Sequence, residues 1–153
     1  MENNNYPKFF TMLAVSFVIM YAVMFLNVDN ADHIYLSLTR FYMTLLMVSP
    51  MALTMLLFMQ KMYDSKKRNT FIYIGSIIVF ILALTFLRNQ VPISDRQYMK
   101  AMIPHHSSAI MTSQAADIKD PEVRKLADGI IKSQKEEIAR MKAILDRMER
   151  ENR

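Results

Sequence analysis

Residues Met99–Met111 read MKAMIPHHSSAIM, with His105 and His106 adjacent behind a proline and Met99 and Met102 preceding them. Imidazole and thioether groups in this spacing suit soft transition-metal ions, whereas carboxylate and carbonyl oxygens suit magnesium or calcium. Further along, Gln134, Glu137 and Met141 supply an amide, a carboxylate and a third thioether. The chain has no cysteine. Disulfides, zinc–thiolate sites and cysteine nucleophiles are therefore excluded, and any transition-metal site must come from histidine, methionine, carboxylate or amide groups.

Two helices must position these groups. Ser94 or Asp95 can cap a helix running to about Ile118. IKDPEV then makes a turn, with Asp120 as N-cap and Pro121 at the first position of a second helix that runs to about Arg150. Val123, Leu126, Ala127, Ile130, Ile138, Met141, Ile144, Leu145 and Met148 follow the helical period there. The opposite face is charged, with Glu136–Arg140 and Asp146–Arg150 spaced to pair. The first helix has an inner stripe of Met99, Met102, Ile103, His106, Ile110 and Ser113, and Pro104 within it predicts a kink or local loosening. Folding the hairpin by equal distance from the turn sets Met99 against Met141, Met102 against Glu137 and Ile138, and His106 against Gln134. The same count sets Ile110 against Ile130 and Ser113 against Ala127. His105 points about 100° away from His106, toward the edge of that centre. A polar cluster in an apolar seam demands partners. Two readings stand: metal ligands, or histidines satisfied by packing.

The rest of the chain is apolar. It has 153 residues, 52% hydrophobic, with two glycines and a net charge of +5. A bilayer core of about 30 Å needs about 20 apolar helical residues. Three stretches qualify: Phe9–Val28, about Leu36–Met59, and the shorter Phe71–Leu87 flanked by Arg68 and Arg88. The expected layout is a membrane domain over residues 1–90 and an extracytoplasmic hairpin over 94–153, all-α throughout. The loop after the second span holds Lys61, Lys66, Lys67 and Arg68, while the loop after the first has Asp29 and Asp32 and no lysine or arginine. That asymmetry puts the N-terminus and second loop in the cytoplasm and the hairpin outside. In a bacterium this is the inner membrane, with the hairpin in the periplasm or at the cell exterior. Pro50 predicts a kink in span two, and Arg40 one turn inside that span reads first as snorkelling to the headgroups. A ladder of Met43, Met47, Met51, Met55 and Met59 winds around span two and reads as packing. His33, beside Asp32, reads as an exposed loop histidine.

The stretches YMKAMIPHHSSAI and KDPEVRKLADGIIKSQKEEIARM resemble the ferritin-like domain-of-unknown-function family that includes the periplasmic copper-binding protein CopM. The resemblance covers about Ser94 to Leu145. It implies an antiparallel helical bundle, binding of copper or silver, and a role in metal tolerance. It places the ligand set on Met102, His105, His106, Gln134, Glu137 and Met141. Where many members carry a methionine aligned with the first histidine, this chain has Thr112, with Met111 one position earlier; His106 with Met102 is the better-supported pair. The Glu-x-x-His pairs of di-iron bundles are missing, so a ferritin-like shape does not imply oxidase or iron-storage activity.

The expectation is a membrane-anchored protein that binds Cu(I), with Ag(I) as an alternative, in buffering, delivery or tolerance. It is not expected to be an enzyme, because no nucleophile–base pair is in view. Three spans without an acidic or histidine pathway argue against a transporter. No basic stripe or recognised module points to nucleic acid. The partners expected are the lipid bilayer, copper-handling proteins and a second copy of the chain, since one hairpin has little core of its own. A second copy would complete a four-helix bundle. The competing reading is a structural or oligomerisation protein whose histidines only pack.

Overall fold

A computed structural model describes residues 5–151, and all regular structure among them is helical. Five α-helices follow in order: α1 Tyr6–Val23, α2 Leu38–Phe58, α3 Lys66–Asn89, α4 Asp95–Ala115 and α5 Pro121–Glu151. The first three are long and apolar enough to cross a membrane. The helices form two compact units: residues 5–23 with 39–92, and residues 24–38 with 93–151.

In the apolar unit, α1 begins and ends earlier than the expected Phe9–Val28 run. Pro7 fits the first turn, where its missing N–H has no helical partner to lose. At the other end, residues 24–38 cluster with the hairpin, although they were expected within a 1–90 membrane domain. Tyr6, Phe9, Ala52, Leu56, Tyr63 and Ile72 form this unit's core. The Tyr6 hydroxyl donates to Asn69 Oδ1 at 2.7 Å and accepts from the Ser65 N–H at 3.2 Å. These bonds tie the start of α1 to the start of α3, which Ser65 caps through the Arg68 N–H. At its other end α3 stops on Gln90 in the left-handed region (φ 53°). The N–H groups of Gln90 and Val91 both donate to Phe86 O, satisfying an end carbonyl. The Tyr42 hydroxyl holds the following residue by donating to Val91 O at 2.9 Å.

Arg40 is buried and lies within electrostatic reach of Tyr21. An intramembrane cation held against the protein is less costly than one facing lipid. Helix α2 runs through Pro50, whose ring nitrogen leaves the Leu46 carbonyl without its usual helical donor.

The hairpin unit is built as its caps dictate. Ser94 accepts from the Gln97 N–H to start α4, and Asp120 Oδ1 accepts from the N–H groups of Glu122 and Val123 at 2.9 and 3.0 Å to start α5. Met99, Ile103 and Ile110 of α4 pack on Ile138 and Leu145 of α5, with Tyr35, Ile131, Met141, Ile144 and Met148 around them. The first turns of α5 depart from the expected seam: Val123, Leu126 and Ile130 are 50%, 65% and 37% exposed. The ion pairs on α5 are Arg124–Asp128 and Arg147–Glu151, at 2.9 and 3.1 Å; Glu136–Arg140 and Asp146–Arg150 are not among those formed by the described residues. Exposed pairs at this spacing differ by tenths of a kcal/mol, so sequence alone does not choose among them.

Candidate metal centre

His106 sits near the middle of α4, where the turn after Ile103 brings it to the α4–α5 seam. Its Nδ1 lies 3.2 Å from Glu137 Oε2. The distance is that of an ion pair, yet this buried Nδ1 has no hydrogen-bond partner among the described residues. Burial holds the His106 pKa below the ordinary histidine value; the Glu137 carboxylate pulls the other way, and His105 adds to the depression. At neutral pH the ring is therefore neutral, with a lone pair on one nitrogen free to act as a ligand. Glu137 is exposed, and its other oxygen accepts from the Ser133 hydroxyl at 2.9 Å.

Counting residues from the turn had set His106 against Gln134. The partner in the structure is Glu137, one turn further along. Side chains on a helix lean toward its N-terminus, so a glutamate delivers its carboxylate about one turn before its own Cα. Gln134 is half-buried and lines a shallow cleft with Leu126 and Ile130. Met102 is half-buried one turn before His106 on the same helix, within the spacing at which helical side chains meet. Met99 is buried in the hairpin core and Met141 packs against that core. His105 is exposed, and its ring is 6.0 Å from that of His106.

Of the seven residues singled out, the structure thus records His106 with Glu137, His105 beside His106, and Met99 with Met141 around one core. Among the described residues no three histidine, aspartate or glutamate side chains converge as a metal-binding group.

A second polar centre was missed. Ser107 is fully buried. Its hydroxyl oxygen accepts from the Asp29 backbone N–H at 2.8 Å and lies 2.8 Å from His33 Nδ1. Ser107 Oγ and His33 Nδ1 share one hydrogen bond whose direction follows the imidazole tautomer, and the ring's other nitrogen lies 3.4 Å from Asp32 Oδ1. Burial and Lys142 lower the His33 pKa, against Asp32 and Asp29. Lys142 of α5 in turn pairs with Asp32 and lowers that carboxyl's pKa. Asn27 Nδ2 donates to the Ser108 hydroxyl at 2.8 Å. His33 is thus packed on α4 and not an exposed loop residue. A sequence signal existed: position 107 lies one turn after Ile103 and one before Ile110, so its serine falls in the buried stripe and needs partners.

Fold and site together define an all-helical protein with three apolar helices of membrane-spanning length and a polar-seamed helical hairpin. Residues 83–149 match the domain of unknown function DUF305. Over 145 residues the chain is 39% identical to Uncharacterized protein L153 of Acanthamoeba polyphaga mimivirus, covering 93% of each chain, so this likeness is not confined to the hairpin. The chain belongs to the same family as this mimivirus protein, and the region around its hairpin carries the DUF305 match. No solved structure matches it significantly.

Proposed function

We propose that the hairpin binds a soft monovalent metal ion, Cu(I) with Ag(I) as the chemical analogue, for buffering, delivery or tolerance at a membrane. The buried, unpartnered and neutral Nδ1 of His106 carries this reading. A buried nitrogen without a hydrogen bond is costly, and a bound cation would satisfy it. Met102 offers a thioether beside it, and Glu137 offers a carboxylate. His105, Gln134, Met99 and Met141 stand at the edge of this set, within reach only of side-chain rearrangement. This mixed set favours a soft ion over a hard one. The loop charges support an extracytoplasmic hairpin, periplasmic in a bacterial inner membrane, where copper-handling proteins would be the partners.

The test is a Cu(I) competition titration of the full chain in detergent under reducing conditions. The His106→Ala/Met102→Ala double variant is expected to bind roughly tenfold or more weakly, with its helical circular dichroism unchanged. Equal affinity in a folded double variant would sink the assignment.

One observation favours the structural reading as well. Val123, Leu126 and Ile130 leave an apolar face on α5, as a hairpin that pairs with a second copy would. Leu126→Glu is then expected to shift the detergent-solubilised protein from dimer to monomer in light scattering. A monomeric wild type would remove this second reading and leave the metal proposal standing.

A further inference from the structure

The apolar unit carries a cleft of about 630 Å³ between the starts of α1 and α3, a volume in the range of small-molecule sites. We propose that this cleft binds one anionic glycerophospholipid, its phosphate on Lys67 and Arg68 and an acyl chain over Phe10 and Phe71. The lining divides along its length. Lys67 and Arg68 lie at the polar end, and Phe10, Phe71 and Ile72 continue along the two helices, with Tyr6 and Pro7 completing the wall. Phe10 and Phe71 are 55% and 82% exposed among the described residues, a large aromatic area. Its position on helices of membrane-spanning length gives it lipid as a neighbour.

The charge at the polar end independently calls for an anion. Lys66, Lys67 and Arg68 occupy the first turn of α3, which has no acidic residue. Helix starts are the positive end of the macrodipole, where cations are disfavoured and phosphates are bound. Three consecutive cations there are offset by an anion seated at the helix start. Lys67 has no ion-pair partner among the described residues. The Arg68 guanidinium stacks 5.1 Å over the Tyr6 ring, and Tyr6 is fixed by Asn69 and Ser65. The polar end is therefore preorganised, while the apolar end matches a chain and not a second charge. A soluble phosphate would use only half of the cleft.

The test uses the full chain in nanodiscs of equal phosphatidylglycerol and phosphatidylcholine, read by native mass spectrometry of the lipid retained on release. Wild type is expected to keep phosphatidylglycerol about tenfold over phosphatidylcholine. K67Q/R68Q should abolish the preference, and K67Q alone, which leaves the Arg68–Tyr6 stack in place, should reduce it severalfold. K61Q removes the same charge as K67Q from a position outside the cleft and the first turn of α3, and should retain it. Glycerol 3-phosphate in excess should not displace the lipid. Equal retention of both lipids, an equal loss in K61Q and K67Q, or full displacement by glycerol 3-phosphate would each overturn the proposal.

Discussion

Replacing Ile103 with alanine is expected to lower the stability of the hairpin unit by roughly 2–5 kcal/mol, the range for a large-to-small change in a closed core. Ile103 is fully buried between α4 and α5, in one cluster with Met99, Ile110, Ile138 and Leu145. Two terms add: the lost transfer energy of the removed methylene and methyl groups, and the cavity that neighbours only partly fill. Hydrogen exchange of the full chain in detergent reads the effect. Protection of the most slowly exchanging α4 and α5 amides should fall by roughly thirtyfold or more, since about 1.4 kcal/mol is a factor of ten. Val123→Ala is the matched control, because Val123 is half exposed in the first turn of α5 and surface changes cost within about 0.5 kcal/mol. Equal effects from the two substitutions would mean that the seam drawn between α4 and α5 is not the stabilising core.

That contrast also marks what the sequence could and could not convey. Helical period and caps reach the fold class directly: Ser94, Asp120 and Pro121 act where their types placed them. The three apolar runs are helices, because continuous apolar sequence of that length has few other ways to satisfy its backbone. The period cannot say which part of an apolar stripe has a partner. Val123 and Leu126 obey the same spacing as Ile138 and Leu145, yet only the latter pair is covered within this chain. At the candidate site, His106 was legible as the polar residue facing the seam, but its neighbour was misplaced by one turn. A count of Cα heights omits the lean of side chains toward the helix N-terminus. Least legible was the part played by residues 24–38. The sequence reads 29–35 as a loop and the flanking residues as span ends, and their attachment includes the Ser107 and Ser108 hydroxyls and a lysine from α5, contacts between residues far apart in sequence that local propensity does not encode.

Ser107→Ala is expected to weaken that attachment by about 1 kcal/mol, because it removes the acceptor of the part-buried Asp29 N–H bond. The Asp29 N–H loses its acceptor and His33 Nδ1 loses its hydrogen-bond partner, while the removed oxygen leaves only a small void. The Asp29 amide is itself the reporter: its exchange should quicken severalfold in the variant, with the α4 and α5 core amides far less affected. The same clamp is expected to weaken in acid. The folded pKa of His33 lies below the ordinary value, chiefly from burial and from Lys142, with Asp32 and Asp29 opposing. Between the ordinary value, about 6.5, and the lower folded one, the released loop takes up a proton that the docked loop does not. Docking is therefore fully supported above about pH 6.5 and loses free energy as pH falls toward the folded pKa. The cause is the ring's partly buried position beside Lys142, where a second proton on the imidazole is disfavoured. After correction for intrinsic exchange, Asp29 protection in the wild type should decline from pH 7 to 5, and a His33→Asn variant should show a flatter profile. If Asp29 is equally protected in Ser107→Ala and indifferent to pH in the wild type, the loop is held by Lys142–Asp32 and Asn27–Ser108 instead.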